Sequence, residues 1–278
     1  MTDVTAPALS FSTLACPEWS AERVVERCAD LGYDGIEWRG GHEGHVSPDW
    51  PRRRRRQLRD QMTSNGVAAL AVTSYATFTS PDPAIRAANA DDLAAHVRLA
   101  ADLGAPFVRT FLGWREDAVP DGDLADRIAD SLRPVGDFAQ PLGVTVVIEP
   151  HDDFVTASSV TPVLERLSDA TFGAIWDIGI AWAEGEVPET TFAELSRWIR
   201  YVQLKDGTGR GESWRLTSLG AGDVPIVRAL ALARGALPIS VEWEKAWHDE
   251  LAPADAELPH AAEVIRSTLS AIGTSGRS

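Results

Sequence analysis

Four oxygen-bearing side chains close four short apolar runs in the second half of the chain. They are Glu149 after Thr145-Val146-Val147-Ile148, Asp177 after Ala174-Ile175-Trp176, Gln203 within Tyr201-Val202-Gln203-Leu204-Lys205-Asp206, and Glu242 after Ile239-Ser240-Val241. Carboxylates crowded against apolar surroundings repel one another and lose hydration. A bound cation relieves both costs. Three carboxylates and an amide carbonyl make a hard, all-oxygen donor set, which predicts one Mn²⁺ or Mg²⁺ ion with open positions for water or substrate. Zn²⁺ fits less well, because neither His nor Cys is among the four. Glu244 lies two residues beyond Glu242, on the same face of an extended strand, and competes as a ligand. Taken singly, each acid also reads as a strand-end residue bonded to loop backbone; convergence of all four favours the metal.

Such a donor set needs a frame that brings four strand ends to one point. Strands are predicted at Ala8 to Leu14, Asp34 to Trp38, Ala68 to Thr73, Phe107 to Phe111, Thr145 to Glu149, Gly173 to Asp177, Tyr201 to Lys205 and Pro238 to Trp243. Helical periodicity fills the intervals, as in Ser20 to Leu31, Pro51 to Asn65, Pro83 to Leu103 and Leu124 to Leu142. Gly32, Gly66, Gly104 and Gly143 stand where these helices must stop. Roughly eight strands at about 30-residue intervals predict an α/β fold, a (β/α)8 TIM barrel, rather than an open sheet. A doubly wound sheet is the alternative, but Thr13-Leu14-Ala15-Cys16-Pro17 replaces a Gly-rich phosphate loop after the first strand. No linker divides the chain, so residues 1–278 read as one domain, with Gly273 to Ser278 as a frayed tail. Active sites of such barrels lie at the C-terminal strand ends, where the four oxygens fall.

Composition narrows the partners. Among 278 residues, 44% are hydrophobic and 24% charged, enough apolar material for a large core. Lys and Arg number 26 against 41 Asp and Glu, a formal charge of −15, which disfavours a nucleic-acid partner. The basic block Arg52 to Arg56 reads as a solvated helix surface paired with acidic neighbours, since successive helical residues point all round the axis. No apolar run reaches the roughly 18 residues that a membrane span needs. Met1 to Ala6 lack the charged and apolar regions of a signal peptide, and Cys16 and Cys28 are the two cysteines. A reduced, cytoplasmic protein is expected.

Five segments carry a family likeness in order: Leu31-Gly32-Tyr33-Asp34-Gly35-Ile36-Glu37-Trp38-Arg39, Ile148-Glu149-Pro150-His151, Trp176-Asp177-Ile178-Gly179, Gln203-Leu204-Lys205-Asp206 and Ser240-Val241-Glu242-Trp243-Glu244. A Gly-rich turn, Leu219-Gly220-Ala221-Gly222-Asp223-Val224-Pro225, sits between the last two. Over nearly its whole length the chain resembles the xylose isomerase-like barrels, which include sugar phosphate isomerases and epimerases, hydroxypyruvate isomerase and inosose dehydratase. The resemblance implies Glu149, Asp177, Gln203 and Glu242 as metal ligands and Glu149 with Glu242 as the acid/base pair. It implies an isomerase or epimerase of a keto sugar or related polyhydroxy ketone, working through a metal-stabilised enediolate, in a homodimer or homotetramer. Proton return to the same carbon epimerises, return to the adjacent carbon isomerises, and loss of a β-hydroxyl dehydrates. Many relatives carry His where Gln203 stands, whereas the hydroxypyruvate isomerase branch is similar in using Gln. Relatives also place a substrate-binding His where this chain has Ile180. That departure keeps two alternatives open: a metal-dependent lyase, dehydrating a keto-cyclitol or cleaving a 3-keto glycoside by β-elimination, and a non-catalytic sugar-binding barrel. The endonuclease branch needs more His ligands than a chain with six His, none at the four strand ends, supplies.

Further polar residues complete the expected site. His151 reads as a substrate contact or a solvated loop residue, and Lys205 as a substrate contact or the partner of Asp206. Arg210, in the loop Gly207 to Gly211, is placed to meet a substrate hydroxyl, carboxylate or phosphate. Glu37 and Arg39 read as a salt bridge under the site or a substrate clamp; His45 and His248 carry no assignment. Ten tryptophans outnumber the eight Phe and three Tyr. Trp38, Trp114, Trp176, Trp182, Trp214, Trp243 and Trp247 all fall at strand ends or in the loops that follow. Trp38, Trp114 and Trp182 are the expected stacking surfaces for a bulky, partly apolar carbohydrate.

Overall fold

The computed structural model describes residues 9–233 and 237–275. Strands β1 (Leu9–Ser12), β2 (Gly35–Arg39), β3 (Ala68–Thr73), β4 (Phe107–Thr110), β5 (Thr145–Ile148), β6 (Phe172–Asp177) and β7 (Ile199–Leu204) are followed by a short antiparallel hairpin. The hairpin strands are β8 (Asp206–Thr208) and β9 (Arg215–Thr217), and β10 (Ile239–Val241) ends the set. The eight parallel strands close in the order β1-β10-β7-β6-β5-β4-β3-β2, so the expected TIM barrel is the fold. Outside it run α1 (Ala21–Asp30), α2 (Arg52–Ser64), α3 (Pro83–Leu103), α4 (Asp121–Ala139), α5 (Ala157–Leu164), α6 (Ile178–Ala183), α7 (Pro188–Leu195), α8 (Ile226–Leu232) and α9 (Ala254–Ser275). Ala8, Met1 to Ala6 and residues 276–278 of the expected tail lie outside the described residues; α9 continues through Gly273 to Ser275.

Local chemistry explains the boundaries. The Ser20 side chain caps α1 by accepting from the Arg23 N–H, and Ala21, Val24, Val25 and Cys28 form its buried face. Gly104 ends α3 at φ 79°, a left-handed conformation that costs glycine little. In α2 the five-arginine block divides as its helical spacing requires. Arg55 is buried, donating to Asp102 at 2.8 Å, while its four neighbours in the block are exposed.

Strand pleat sorts the side chains. Leu70, Phe107, Val147, Ile175 and Tyr201 pack as a small cluster separate from the main core. Two residues further along their strands, on the same face, come Arg109, Glu149, Asp177 and Gln203. An apolar barrel floor thus carries a polar layer at its C-terminal end. The intervening residues face the helices, so Trp38, Trp176 and Trp243 join the main core between barrel and helices.

The hairpin was not expected from the sequence, and Asp206 organises it. Its carboxylate accepts from the N–H groups of Gly207, Val224, Gly220 and Gly222 at 2.8, 3.2, 2.8 and 3.0 Å. Lys205 is therefore not its partner. Asp206→Ala strands four donors in a buried turn and is expected to lower stability by about 2 kcal/mol. Urea unfolding checks this, and amide exchange should quicken at residues 220–224 before it does elsewhere.

Candidate metal centre and active site

Glu149, Asp177 and Glu242 bring one carboxylate oxygen each to within 4.8 Å of the others, and all three residues are buried. They follow β5, end β6 and follow β10, and with Gln203 on β7 they occupy four consecutive strands of the barrel. Glu149 and Glu242 stand at the two ends of this arc, three strands apart.

Each donor is held from behind. Arg109 gives an N–H to Glu149 Oε2 at 2.8 Å, with both side chains at least 97% buried (3% and 2% exposed). Asp177 Oδ1 accepts the Ile180 N–H at 3.0 Å, which caps α6 and leaves Oδ2 with no aligned donor. Gln203 Nε2 donates to Glu37 Oε1 at 2.9 Å and to Glu242 Oε1 at 3.3 Å. Its Oε1 is buried and has no partner. Glu37 lies in the barrel interior and also accepts from Tyr201 at 2.8 Å and Ser240 at 2.5 Å. It forms neither a salt bridge nor a clamp with Arg39, which donates instead to the Tyr75 hydroxyl at 3.1 Å.

Negative charge is in excess here. Burial pushes Glu37 up to about 7, and repulsion from Glu242 adds to the rise against hydrogen bonds from Ser240 and Tyr201. Burial likewise raises Asp177 and Glu242, although Lys205 pulls both back. The Lys205 ammonium lies 2.9 Å from Asp177 Oδ2, 2.5 Å from Glu242 Oε2 and 2.5 Å from Glu244 Oε1. One ammonium is thus shared among three carboxylates. Glu244 is held below the usual carboxylate range because Lys205 outweighs its burial. A lysine drawn so deep marks the place as one that favours positive charge. The buried acidic triad can hold a metal ion, and Gln203, on the strand between those of Asp177 and Glu242, carries a buried, unpaired oxygen.

A cavity of about 450 Å³ opens above the triad, with Arg109, Phe111, His151, Lys205, Trp114 and Trp247 in its walls. The His151 ring packs on Phe111 with centroids 4.4 Å apart, and its Nδ1 meets Asp152 Oδ1 at 2.7 Å. Trp114 is 64% exposed at the rim. Other expected contacts lie elsewhere. Trp38 is fully buried in the strand–helix layer, because the pleat that turns Glu37 and Arg39 inward turns it outward. Arg210 is exposed and stacks on Trp182 at 3.8 Å, and neither residue lines the cavity. Ile180 contributes its backbone N–H to Asp177, and its side chain is not among the cavity walls.

Arg109 and Tyr75 were missed in the sequence. Arg109 carried a usable signal, a lone charge at an inward position of the run Phe107-Val108-Arg109-Thr110. Tyr75 sits in irregular chain between β3 and α3 and carried none.

Fold and site together define a closed α/β barrel with an acidic cluster at its catalytic end. The sequence profile of the xylose isomerase-like TIM barrel family matches residues 25–268, and the chain belongs to that family. Fructoselysine 3-epimerase of Shigella flexneri is 19% identical over 215 residues, covering 74% of this chain and 77% of that one. Among solved structures, the IolI protein with a binding zinc atom superposes with a TM-score of 0.80 at 17% identity, covering 95% of this chain and 99% of that one. L-ribulose 3-epimerase gives a TM-score of 0.79 at 21% identity, with 98% and 97% covered. No helix among the described residues is long and apolar enough to cross a membrane.

Proposed function

We propose that the protein is a divalent-metal-dependent epimerase or isomerase of a keto sugar or related polyhydroxy ketone. The observation that carries this reading is the convergence of Glu149, Asp177 and Glu242 within 4.8 Å, supported by the buried, unpaired Oε1 of Gln203. These four residues are the ligands in the proposal, and the all-oxygen set favours Mn²⁺ or Mg²⁺. A divalent cation, when bound, acidifies the C–H beside a ketose carbonyl.

The chain's own residues then move the proton. Glu149 and Glu242 flank the cavity, so one removes the proton from one face of the sugar and the other returns it from the opposite face. Return to the same carbon is favoured, because two of the three named relatives are 3-epimerases. Arg109 fixes the Glu149 carboxylate, and Glu37 and Glu242 both accept from the Gln203 amide nitrogen, which fixes the side chain and leaves its oxygen as the unpaired end. His151, Lys205 and Trp114 are the substrate contacts; Trp38, Trp182 and Arg210 are left out. Free, buried Cys16 and Cys28 suit a cytoplasmic enzyme.

Calorimetric titration of the chelated protein with Mn²⁺, Mg²⁺ and Zn²⁺, followed by NMR of 2-ketoses in deuterated water, tests the proposal. Metal-dependent exchange of the hydrogen beside the carbonyl is the expected outcome. Absence of both metal binding and exchange sinks the reading. Loss of a hydroxyl or glycosyl group identifies the lyase instead, and sugar binding without exchange identifies a non-catalytic barrel.

A further inference from the structure

Beyond the cavity over the triad lies a second one of about 480 Å³, walled by Arg39, His42, Glu43, Asp92 and His96 together with Tyr75 and Trp247. Tyr75 and Trp247 belong to both cavities, so these two side chains alone are their shared wall. They are also large aromatic residues left 43% and 53% exposed, an arrangement that marks binding surfaces in soluble proteins.

Arg39 is fixed in this wall. Its guanidinium lies 4.4 Å from the Trp247 ring centroid and 5.9 Å from that of Tyr75, and its Nε donates to the Tyr75 hydroxyl at 3.1 Å. The same Tyr75 ring lies 5.0 Å from the Arg109 guanidinium, which in turn holds Glu149. Tyr75 therefore touches both Arg39 and the arginine that supports the triad. The nearest carboxylate to Arg39 is Glu43 at 3.8 Å, on a side chain 82% exposed, so the remaining N–H donors are free to take a ligand. Gly40 lets the backbone pass close to Thr73 and His96 here: a Cβ would lie 2.5 Å from Thr73 O and 2.8 Å from His96 Cδ2.

The lining selects the ligand. A phosphate or carboxylate would find Arg39 but also face Glu43 and Asp92. An ammonium would find those two acids but also the immobile Arg39. A neutral polyol both donates and accepts, and its C–H faces cover aromatic rings. We propose that the second cavity is a hexosyl subsite and that the substrate is a keto-disaccharide or related glycoside, its keto sugar over the triad and its second ring beside Arg39. This rests on the reading of the triad as a ketose site.

Calorimetry in Mn²⁺ buffer with D-fructose, isomaltulose, lactulose and 1-amino-1-deoxyfructose tests it, with carbon-bound hydrogen exchange followed in parallel. At least one disaccharide is expected to bind about tenfold more tightly than fructose, and Arg39→Gln should erase most of that ratio. His42→Trp fills the cavity from an exposed loop position without touching the barrel, and the ratio should fall in the same way. A wild-type ratio near one, a ratio unchanged by both variants, or a larger gain for the amino sugar than for the disaccharides overturns the subsite. Disaccharide selectivity without exchange on any sugar upholds the subsite and removes the epimerase reading; exchange with an unaltered ratio does the reverse.

Discussion

Arg109→Met is expected to destabilise the metal-free protein by about 3–5 kcal/mol, the usual cost of breaking a buried ion pair from one side. The pair between Arg109 and Glu149 spans 2.8 Å with both side chains almost fully buried. Removing the guanidinium leaves the Glu149 carboxylate beside Asp177 and Glu242, with Lys205 engaged by Asp177, Glu242 and Glu244. It also frees the carbonyl of Ser74, which accepts from Arg109 at 3.2 Å. Two further measurements separate this cause from simple loss of packing. The double variant Arg109→Met/Glu149→Gln carries no orphaned charge and should recover most of the lost stability. Mn²⁺ should raise the melting temperature of the single variant more than that of the wild type, because the variant's site is one positive charge poorer. A double variant no more stable than the single one rules out the charge as the origin.

That pair also shows where sequence reasoning stops. Glu149, Asp177, Gln203 and Glu242 were legible because each interrupts or ends an apolar β-run, and a barrel can bring such ends to one place. Arg109 interrupts its run in the same way, but its partner is 40 residues away, and only the β4–β5 pairing makes them neighbours. Glu37 posed the same difficulty. Its donors Tyr201, Gln203 and Ser240 lie on β7 and β10, which only closure of the barrel through β1 brings to within three strands of β2.

The tryptophans teach a different lesson. Grouping seven of them by their place near strand ends overlooked the two-residue period within the strands. Trp38, Trp176 and Trp243 each adjoin an inward-facing acid, Glu37, Asp177 and Glu242, so each must face the helices. Trp243 confirms this by donating from Nε1 to Ala252 O at 2.8 Å, just before α9. Only Trp114 and Trp247, on loops without any period, reach the cavity over the triad. Loop aromatics such as Trp247 and Tyr75 have no pattern to place them, and they are the residues that join the two cavities. The strand pattern therefore locates the chemistry, while irregular segments shape what enters.

Glu149→Gln and Glu242→Gln are each expected to slow turnover about 10²–10⁴-fold, the range in which positioned proton-transfer groups contribute. Glutamine is the informative replacement because it keeps the size of the side chain and an amide oxygen able to ligate a cation, yet cannot carry a proton. Calorimetry should therefore still register metal in both variants. Burial and the nearby Asp177 and Glu244 raise Glu242 above the usual carboxylate range despite Lys205, which suits a group that must hold a proton during turnover. Glu149 instead has one oxygen fixed by Arg109 and presents the other. Because the two act from opposite faces, their loss should not be equivalent. In deuterated water one variant should still exchange the hydrogen of one epimer while failing on the other, and the second variant should show the reverse preference. Loss on both epimers in one variant alone would instead point to a single residue that carries the proton across. Full exchange of both epimers in either variant removes the two-carboxylate pair altogether, since a glutamine at that position leaves one face with no group able to take the proton.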